Sequence, residues 1–338
     1  MKKIDQYKTL MKMYLAYRKG VLHPSYPPIR LWIEPTNRCN LRCVMCPNSS
    51  DKIKKRGFME MSLFENIIDQ VRGVVYDANL HHTGESLLHP ELPEMVRMAK
   101  RAGIYTRLHT NATLLDEEKS RALIHAGLDL ISFSFDGYDA KTYESIRRGA
   151  DFEKTLANIK RFLEIKKRER SETPYTIFEV INFSQGTKEQ IDAFKAPLLE
   201  LGLNRFVVKE PHNWSGEYAV DGEESMIGNP DFFVPCTFPW YALVIFYDGT
   251  VYPCPQDFFG KLRVGDLNSQ TLDEVWHGEP LVDLRRRMKE RDYHGIDPCE
   301  QCDMIFRKDF LGVPTSNLKT YLSENFVGYG KLKRWLER

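Results

Sequence analysis

What this sequence lacks narrows it first. It has no run of about 18 apolar residues, the length that a membrane-spanning helix needs. Its opening segment, MKKIDQYKTLMKMYLAYRKG, is charged throughout, with neither a continuous apolar stretch nor a small-residue cleavage site. No secretory signal is therefore expected, and the cytoplasm is the expected compartment. Neither sign of charge is in excess: 48 Lys and Arg stand against 47 Asp and Glu, a formal net charge of +1, which leaves no basic field for nucleic acid. No internal repeat or low-complexity tract is evident. Cysteine is scarce, seven in 338 residues, and an odd number without a secretory signal argues against a disulfide framework. What remains is an ordinary globular balance, 42% hydrophobic and 28% charged, in a chain long enough for one large domain or a domain with a smaller companion.

Residues 1–28 read as a helix followed by a Pro-rich linker, His23-Pro24 to Pro27-Pro28. From Ile29 onward, strand and helix signals alternate. Short β-rich runs fall at Ile29–Ile33, Asn79–Thr83, Tyr105–His109, Leu130–Phe135, Thr176–Ile181 and Arg205–Val208. Helical periodicity fills the intervals at Leu63–Val74, Glu91–Ala102, Glu117–Ala126, Phe152–Lys167 and Lys188–Leu201. Ser62 and Asp116 stand where helix caps are wanted, and Gly103, Gly127 and Gly202 follow helical runs as left-handed terminators. Six strand–helix units in succession predict an α/β fold with a parallel sheet. It is either an open doubly wound sheet or, six units being too few for a full eight-fold barrel, a partial (β/α)6 TIM-like barrel over 29–210. Either way, ligands belong at the carboxyl ends of the strands. Near residue 211 the pattern changes. Pro211–Pro239 is rich in Gly, Pro and Asn, and Ala242–Tyr247 and Thr250–Tyr252 flank an Asp248-Gly249 hairpin turn. Helical segments follow near Thr271–Trp276 and Pro280–Arg291. A smaller domain over 211–310 and a helical tail over 311–338 are expected.

The cysteines fall into two sets. Cys39, Cys43 and Cys46 form Cys-x3-Cys-x2-Cys within EPTNRCNLRCVMCP, on the loop leaving the first strand. Three thiolates so spaced hold three irons of a cubane and leave the fourth open to a small molecule. A zinc site or three structural thiols is the plainer reading, but a closed zinc site takes four ligands. The motif, in this position, resembles that of the radical S-adenosylmethionine (SAM) superfamily. The resemblance implies a [4Fe–4S] cluster whose open iron chelates the amino and carboxylate groups of SAM. Reduction then releases methionine and a 5′-deoxyadenosyl radical, which takes a hydrogen atom from the substrate. Family members often carry an aromatic residue just before the third cysteine, near the adenine. Here that residue is Met45, whose polarizable thioether also packs on rings.

Stretches at later strand ends match positions where the family holds SAM. HHTGES, residues 81–86, resembles its Gly-Gly-Glu motif, with Thr83 in place of the first glycine. Gly84 would let the backbone approach the ligand, and Glu85 would accept hydrogen bonds from the SAM amino group. HTNATLL resembles its Thr-Asn-Gly run, with Thr110 and Asn111 present and Ala112 for the glycine. SFSFDG places Ser134 and Asp136 where the family lines the ribose and methionine end. Arg147 resembles an arginine that pairs with the SAM carboxylate, and Arg148 is an equal candidate. Each alone has a bland reading, a turn or a solvated helix arginine; their order after the cysteine motif gives them weight. His81, His82, His89 and His109 gather near the same strand ends, either facing the substrate or serving as satisfied structural histidines.

The late set is Cys236, Cys254, Cys299 and Cys302. Four thiolates fully ligate a [4Fe–4S] cluster or a zinc ion, and spacing alone does not separate the two. Set among FYDGTVYPC, VGDLNSQTLDEVW and CEQC, they resemble the auxiliary-cluster extension of radical SAM enzymes called SPASM, or twitch in its shorter, one-cluster form, which four cysteines suit. The resemblance runs from about Ile29 to Cys302. It implies two [4Fe–4S] clusters, SAM, and an external electron donor such as flavodoxin or ferredoxin. It also implies oxidoreductase chemistry in which the auxiliary cluster accepts the electron left on the substrate, as in an aminocyclitol-oxidising member. Three plus four thiols use all seven, so none remains to return a hydrogen atom as a radical epimerase requires, unless a tyrosine does so. The N-terminal extension is too short for a leader-recognition domain. A small molecule such as a sugar or cyclitol alcohol is therefore the expected substrate. A redox-neutral epimerase, mutase or carbon–carbon bond former, or a peptide-modifying enzyme, is the alternative. Within VKEPHNWSGEY, residues 208–218, Lys209, His212, Asn213 and Trp214 line the substrate pocket or form a packed linker.

Overall fold

A computed structural model describes residues 3–314 except 54, 184–185, 217, 219–226, 307–308 and 311–312. Strand alternation becomes a sheet with two unlike faces. Six parallel strands lie side by side in chain order: β1 (Arg30–Ile33), β2 (Asp77–Asn79), β3 (Tyr105–Thr110), β4 (Leu130–Ser134), β5 (Tyr175–Ile181) and β6 (Arg205–Lys209). Leu31, Ala78, Leu108, Phe133 and Phe178 belong to one apolar core on the outer face. Helices cover it: α2 (Met61–Val71), α3 (Leu92–Arg101), α4 (Glu117–His125), the short α5 (Ala140–Ile146), α6 (Phe152–Arg168) and α7 (Lys188–Glu200). Their buried positions recur at helical spacing, as in Phe64, Ile67, Ile68 and Val71 of α2. Strands adjacent in chain order make a barrel wall; a doubly wound sheet would reverse direction at a switch point. The fold is thus the partial barrel. The alternate residues face inward. At the floor of the lumen Asp77 accepts from Arg30 Nε at 2.6 Å and Nη2 at 2.8 Å, and from Arg107 Nη2 at 3.2 Å.

The change of pattern at residue 211 does not interrupt the sheet. β7 (Ala242–Ile245) lies parallel to β1, and β8 (Thr250–Tyr252) returns antiparallel through a turn with Gly249 at φ +89°. β9 (Gly265–Asp266) completes a nine-stranded order, β6-β5-β4-β3-β2-β1-β7-β8-β9. All four residues of β7 are buried, which is why ALVI carries no polar alternation. Two helices follow, α8 (Leu272–His277) and α9 (Glu279–Glu290). Arg285 of α9 is fully buried: Nε donates to Pro239 O at 2.9 Å, Nη1 to Leu22 O at 3.0 Å and Trp276 O at 2.9 Å. The N-terminal α1 (Lys3–Lys19) also docks here, with Tyr17 Oη donating to Pro235 O at 2.9 Å.

Some sequence expectations shift. α2 begins at Met61 with extended Glu60 before it, so Ser62 lies inside the first turn and is not the cap. β2 ends at Asn79, earlier than Thr83, because the backbone turns there to lie over the cysteine loop, where Glu85 N donates to Arg38 O at 2.8 Å. Of the tail expected to be helical over 311–338, Val313–Pro314 instead forms a short strand, β11, paired with β10 (Asp309–Phe310). Residues 315–338 lie outside the described residues. Among the described residues no helix is long and apolar enough to cross a membrane.

Candidate active site

The cysteine loop after β1 is held by backbone bonds to the end of α5: Arg42 N donates to Arg148 O and Val44 N to Ile146 O, each at 2.9 Å. Asn48 Nδ2 ties its far end to Thr83 O at 2.7 Å. Cys43 and Met45 pack with Leu41, Ile146 and Trp214 in a small apolar cluster, and Cys39 and Cys46 border it. Burial pushes the Cys39 thiol up to about 12 and the Cys43 thiol up to about 11, and raises Cys46 as well. The charges of Cys46 and Cys43 push Cys39 further in the same direction. Three thiolates crowded in so apolar a spot are stable only with a positive centre between them, which is the chemistry of a metal-cluster site.

Around this triad the strand-end stretches converge. Glu85, buried, accepts from Leu87 N at 3.0 Å, Thr110 Oγ1 at 2.8 Å and Asn111 N at 2.7 Å. A carboxylate has about four lone-pair sites, so one remains. Thr110 thus orients Glu85, and also accepts from Ala112 N at 3.0 Å. Asn111 Nδ2 lies 4.0 Å from Cys39 Sγ. Ala112, where a glycine was expected from the resemblance, keeps a left-handed φ of +59°. Gly84 has to lack a Cβ for a different reason than ligand approach: a Cβ there would meet Thr36 O and Arg38 O of the cysteine loop. Asp136 and Arg147 form a buried ion pair at 2.7 Å, with Asp136 Oδ1 also accepting from Ile181 N at 2.7 Å. Arg147 Nε is buried with no hydrogen-bond partner, a donor left over beside Cys43. Arg148 is exposed, so the two arginines that are equal in the sequence are unequal in space. Ser134 is half-buried at the end of β4, in register with Glu179.

The inner face above the Arg30–Asp77–Arg107 floor is polar. Asn79 Nδ2, His81 Nδ1 and Ser132 Oγ are buried without partners. The His81 ring lies 4.3 Å from that of His109, His109 Nδ1 is 3.6 Å from Glu179, and Lys209 Nζ pairs with Glu179 at 2.9 Å. Burial, with His109 and His82 adding, holds His81 well below the ordinary histidine range. His82 turns the other way. Its Nδ1 is 3.5 Å from the fully buried Glu34, and its Nε2 is 3.0 Å from Pro255 O. His89 is satisfied by Met59 O at 3.0 Å and Glu91 N at 3.1 Å, away from the lumen. Sequence reasoning did not single out Glu34, Asn79, Ser132 or Glu179. The signal for two of them was there: a single carboxylate at the end of, or inside, an otherwise apolar strand.

The late cysteines also come together. Burial drives the Cys254 thiol well above its ordinary value, and Cys236, Cys299, Asp257 and Cys302 add to it. Asp257 shapes the loop by accepting from Lys261 N at 2.8 Å and Leu262 N at 2.7 Å. None of the seven cysteines is in a disulfide. Three thiols in one set and four in the other, all free and gathered in buried loops, are donor sets that fit iron–sulfur clusters.

Comparison with known proteins agrees. Residues 33–185 match the radical SAM superfamily and residues 236–303 an iron–sulfur cluster-binding domain, SPASM. A PqqA peptide cyclase of Granulibacter bethesdensis is 34% identical over 317 residues, covering 82% of this chain and 80% of its own. An S-adenosyl-L-methionine-dependent 2-deoxy-scyllo-inosamine dehydrogenase of Niallia circulans is 22% identical, covering 81% and 92%. The solved structure of Streptococcus suis SuiB bound to its precursor peptide SuiA shares the fold, with a TM-score of 0.63 at 15% identity over 91% of this chain and 77% of that one.

Proposed function

This chain belongs to the radical SAM superfamily and carries a SPASM cluster domain, and from that premise we propose that it oxidises a small, polar, hydroxyl-bearing molecule such as a sugar or cyclitol alcohol. Cys39, Cys43 and Cys46 would hold the first cluster, which together with SAM would supply hydrogen-atom abstraction from the substrate. This chain's residues do the rest. Arg147, with its spare Nε and its partner Asp136, takes the SAM carboxylate. Glu85, oriented by Thr110 and Asn111, takes the amino group. Ser134 lines the ribose side, Met45 packs beside the cofactor, and Gly84 lets the turn that carries Glu85 lie against the cysteine loop. Asn79, His81 and Ser132 offer unpaired polar atoms to substrate hydroxyls. Cys236, Cys254, Cys299 and Cys302 would hold the second cluster, which would supply an electron acceptor for the oxidation.

The observation that carries this reading is the closeness of the auxiliary cysteine loop to the polar strand ends. His82 Nε2 lies 3.0 Å from the carbonyl of Pro255, the residue after Cys254, which ties the auxiliary cysteine loop to the turn that follows β2, beside the unpaired Asn79 and His81 of the inner face. This chemistry calls for an external low-potential electron donor such as flavodoxin or ferredoxin, and the thiolate sites suit the reducing cytoplasm. The likeness to a peptide cyclase favours a peptide substrate as the second reading.

The test is anaerobic reconstitution with iron and sulfide counting and SAM cleavage under dithionite. Wild type should hold about eight irons, and the Cys39/Cys43/Cys46→Ala variant about four with no SAM cleavage. With 2-deoxy-scyllo-inosamine and related polyols as probes, the expected stoichiometry is one 5′-deoxyadenosine per carbonyl formed. Solvent deuterium entering the product without net oxidation would mean redox-neutral chemistry, and turnover of peptides alone would move the assignment to the second reading.

A further inference from the structure

A short strap joins the two cysteine sites. It leaves β6 and runs through His212, Asn213, Trp214, Ser215 and Gly216. Asn213 is buried and clamped to the auxiliary site: Nδ2 donates to Gln301 O at 2.8 Å, and Oδ1 accepts from Asp303 N at 3.4 Å. Gln301 lies between Cys299 and Cys302. The Asn213 carbonyl closes the turn, accepting from Gly216 N and Tyr218 N at 3.0 Å each. Ser215 Oγ reaches Gln256 O at 3.4 Å, two residues after Cys254. Trp214 points the other way. Its side chain packs in the small apolar cluster with Leu41, Cys43, Met45 and Ile146, and its ring lies 3.8 Å from that of His212.

The backbone makes this arrangement more than a packed linker. Trp214 and Ser215 have φ of +46° and +57°, followed by Gly216 at +87°. Two consecutive non-glycine residues in the left-handed region are uncommon, and such strain persists where the surroundings over-determine it, often at functional sites. Here the strain turns one aromatic side chain out of a segment anchored in the second cysteine site and lays it against the first.

We propose that Trp214 is a SAM-positioning residue, supplying beside Met45 the aromatic face that residue 45 lacks, and that the Cys299–Cys302 loop sets this face through Asn213. This rests on the reading of Cys39, Cys43 and Cys46 as the SAM-binding cluster site. Any ligand chelated there lies next to the Met45–Trp214 surface. The adenine π-face and the sulfonium charge of SAM are both groups that an indole face attracts. The consequence is a coupling: the first site binds SAM at full strength only when the second is assembled.

The experiment measures SAM binding to the anaerobically reconstituted enzyme by equilibrium dialysis, together with the SAM-induced change in the electron paramagnetic resonance of the reduced first cluster. Trp214→Ala should weaken binding roughly tenfold or more, the loss expected for one stacked aromatic, with iron content unchanged. Trp214→Phe should restore most of it, which a purely structural defect in the cluster loop would not predict. Asn213→Ala should also raise the Kd and, before any iron is loaded, shift part of the tryptophan emission to longer wavelength. That shift should vanish in an Asn213→Ala/Trp214→Phe double variant. If Trp214→Ala fails to load iron, Trp214→Leu keeps the apolar volume, removes the ring and carries the same test. Wild-type Kd in the Trp214 variants overturns the SAM contact. Unchanged Kd and emission in Asn213→Ala overturn the coupling. No SAM binding by wild type would instead overturn the reading of the first site itself.

Discussion

Gly84→Ala should empty the first cluster site while leaving the second intact. An added Cβ would lie 2.2 Å from Thr36 O and 2.6 Å from Arg38 O, against the 3.0 Å below which real Cβ contacts essentially never fall. A gap of 0.8 Å (3.0 − 2.2) must therefore open. Neither side gives readily. Both obstacles are backbone carbonyls; Arg38 O is already bonded to Glu85 N at 2.8 Å, and Thr36 Oγ1 is bonded to Gly57 O at 2.5 Å. The displacement falls on the residue next to Cys39. Forcing a methyl into such a contact costs about 1–3 kcal/mol, and rigid neighbours on two sides put this case at the upper end. The φ of Gly84 is not positive, so the effect is steric alone. Gly103→Ala is the matched control: φ is +79° with nothing within 4 Å, so it should cost about 1–2 kcal/mol of left-handed strain and leave iron untouched. Iron counting after reconstitution should give about four per Gly84→Ala chain and about eight per Gly103→Ala chain, with SAM binding lost only in the first. A Gly84→Ala protein with full iron and wild-type SAM affinity would refute the steric reasoning.

Other expectations follow from single contacts. Glu34→Gln turns an amide donor towards Thr83 N or Tyr247 N, which the carboxylate now accepts at 3.2 and 3.3 Å; the unsatisfied buried group should destabilise by about 1–3 kcal/mol, seen as a lower thermal midpoint. Arg285→Lys cannot reach Pro239, Leu22 and Trp276 carbonyls together and should cost ~3 kcal/mol or more, loosening the segment after α1 from α9 to limited proteolysis. Asp139 caps α5, and the Thr142 N–H holds its carboxyl below the ordinary 3.8. A depressed carboxyl contributes stability above its unfolded value and loses it as pH falls through the folded one. The ~1 kcal/mol penalty of Asp139→Ala near neutral pH should therefore shrink below about pH 4, as measured by urea midpoints across pH.

Much of the molecule was legible in advance where the signal was local. The helices over 92–101, 117–125, 152–168 and 188–200 were expected within a residue or so, because apolar spacing, the cap at Asp116 and the terminators Gly103, Gly127 and Gly202 sit in contiguous sequence. Ser62 misled because a serine before an apolar run has the same signature one residue inside a helix as at its cap. The hairpin turn at Asp248-Gly249 was readable, but not that its first strand would lie parallel to β1. That pairing joins residues about 210 positions apart, and nothing in ALVI names its neighbour.

The same division holds at the site. The cysteine spacings, the order of the strand-end stretches and the charge balance determined the superfamily, the clusters and the barrel, because each is a property of neighbouring residues and survives without coordinates. Tertiary structure alone decided that Arg147 is buried beside Cys43 while Arg148 is exposed, that His82 lies between Glu34 and the carbonyl after Cys254, and that Trp214 joins the cluster of Cys43 and Met45. Those contacts depend on strand register and on how far a loop must travel to bury its apolar side chains, and both are set by the packing of the whole chain.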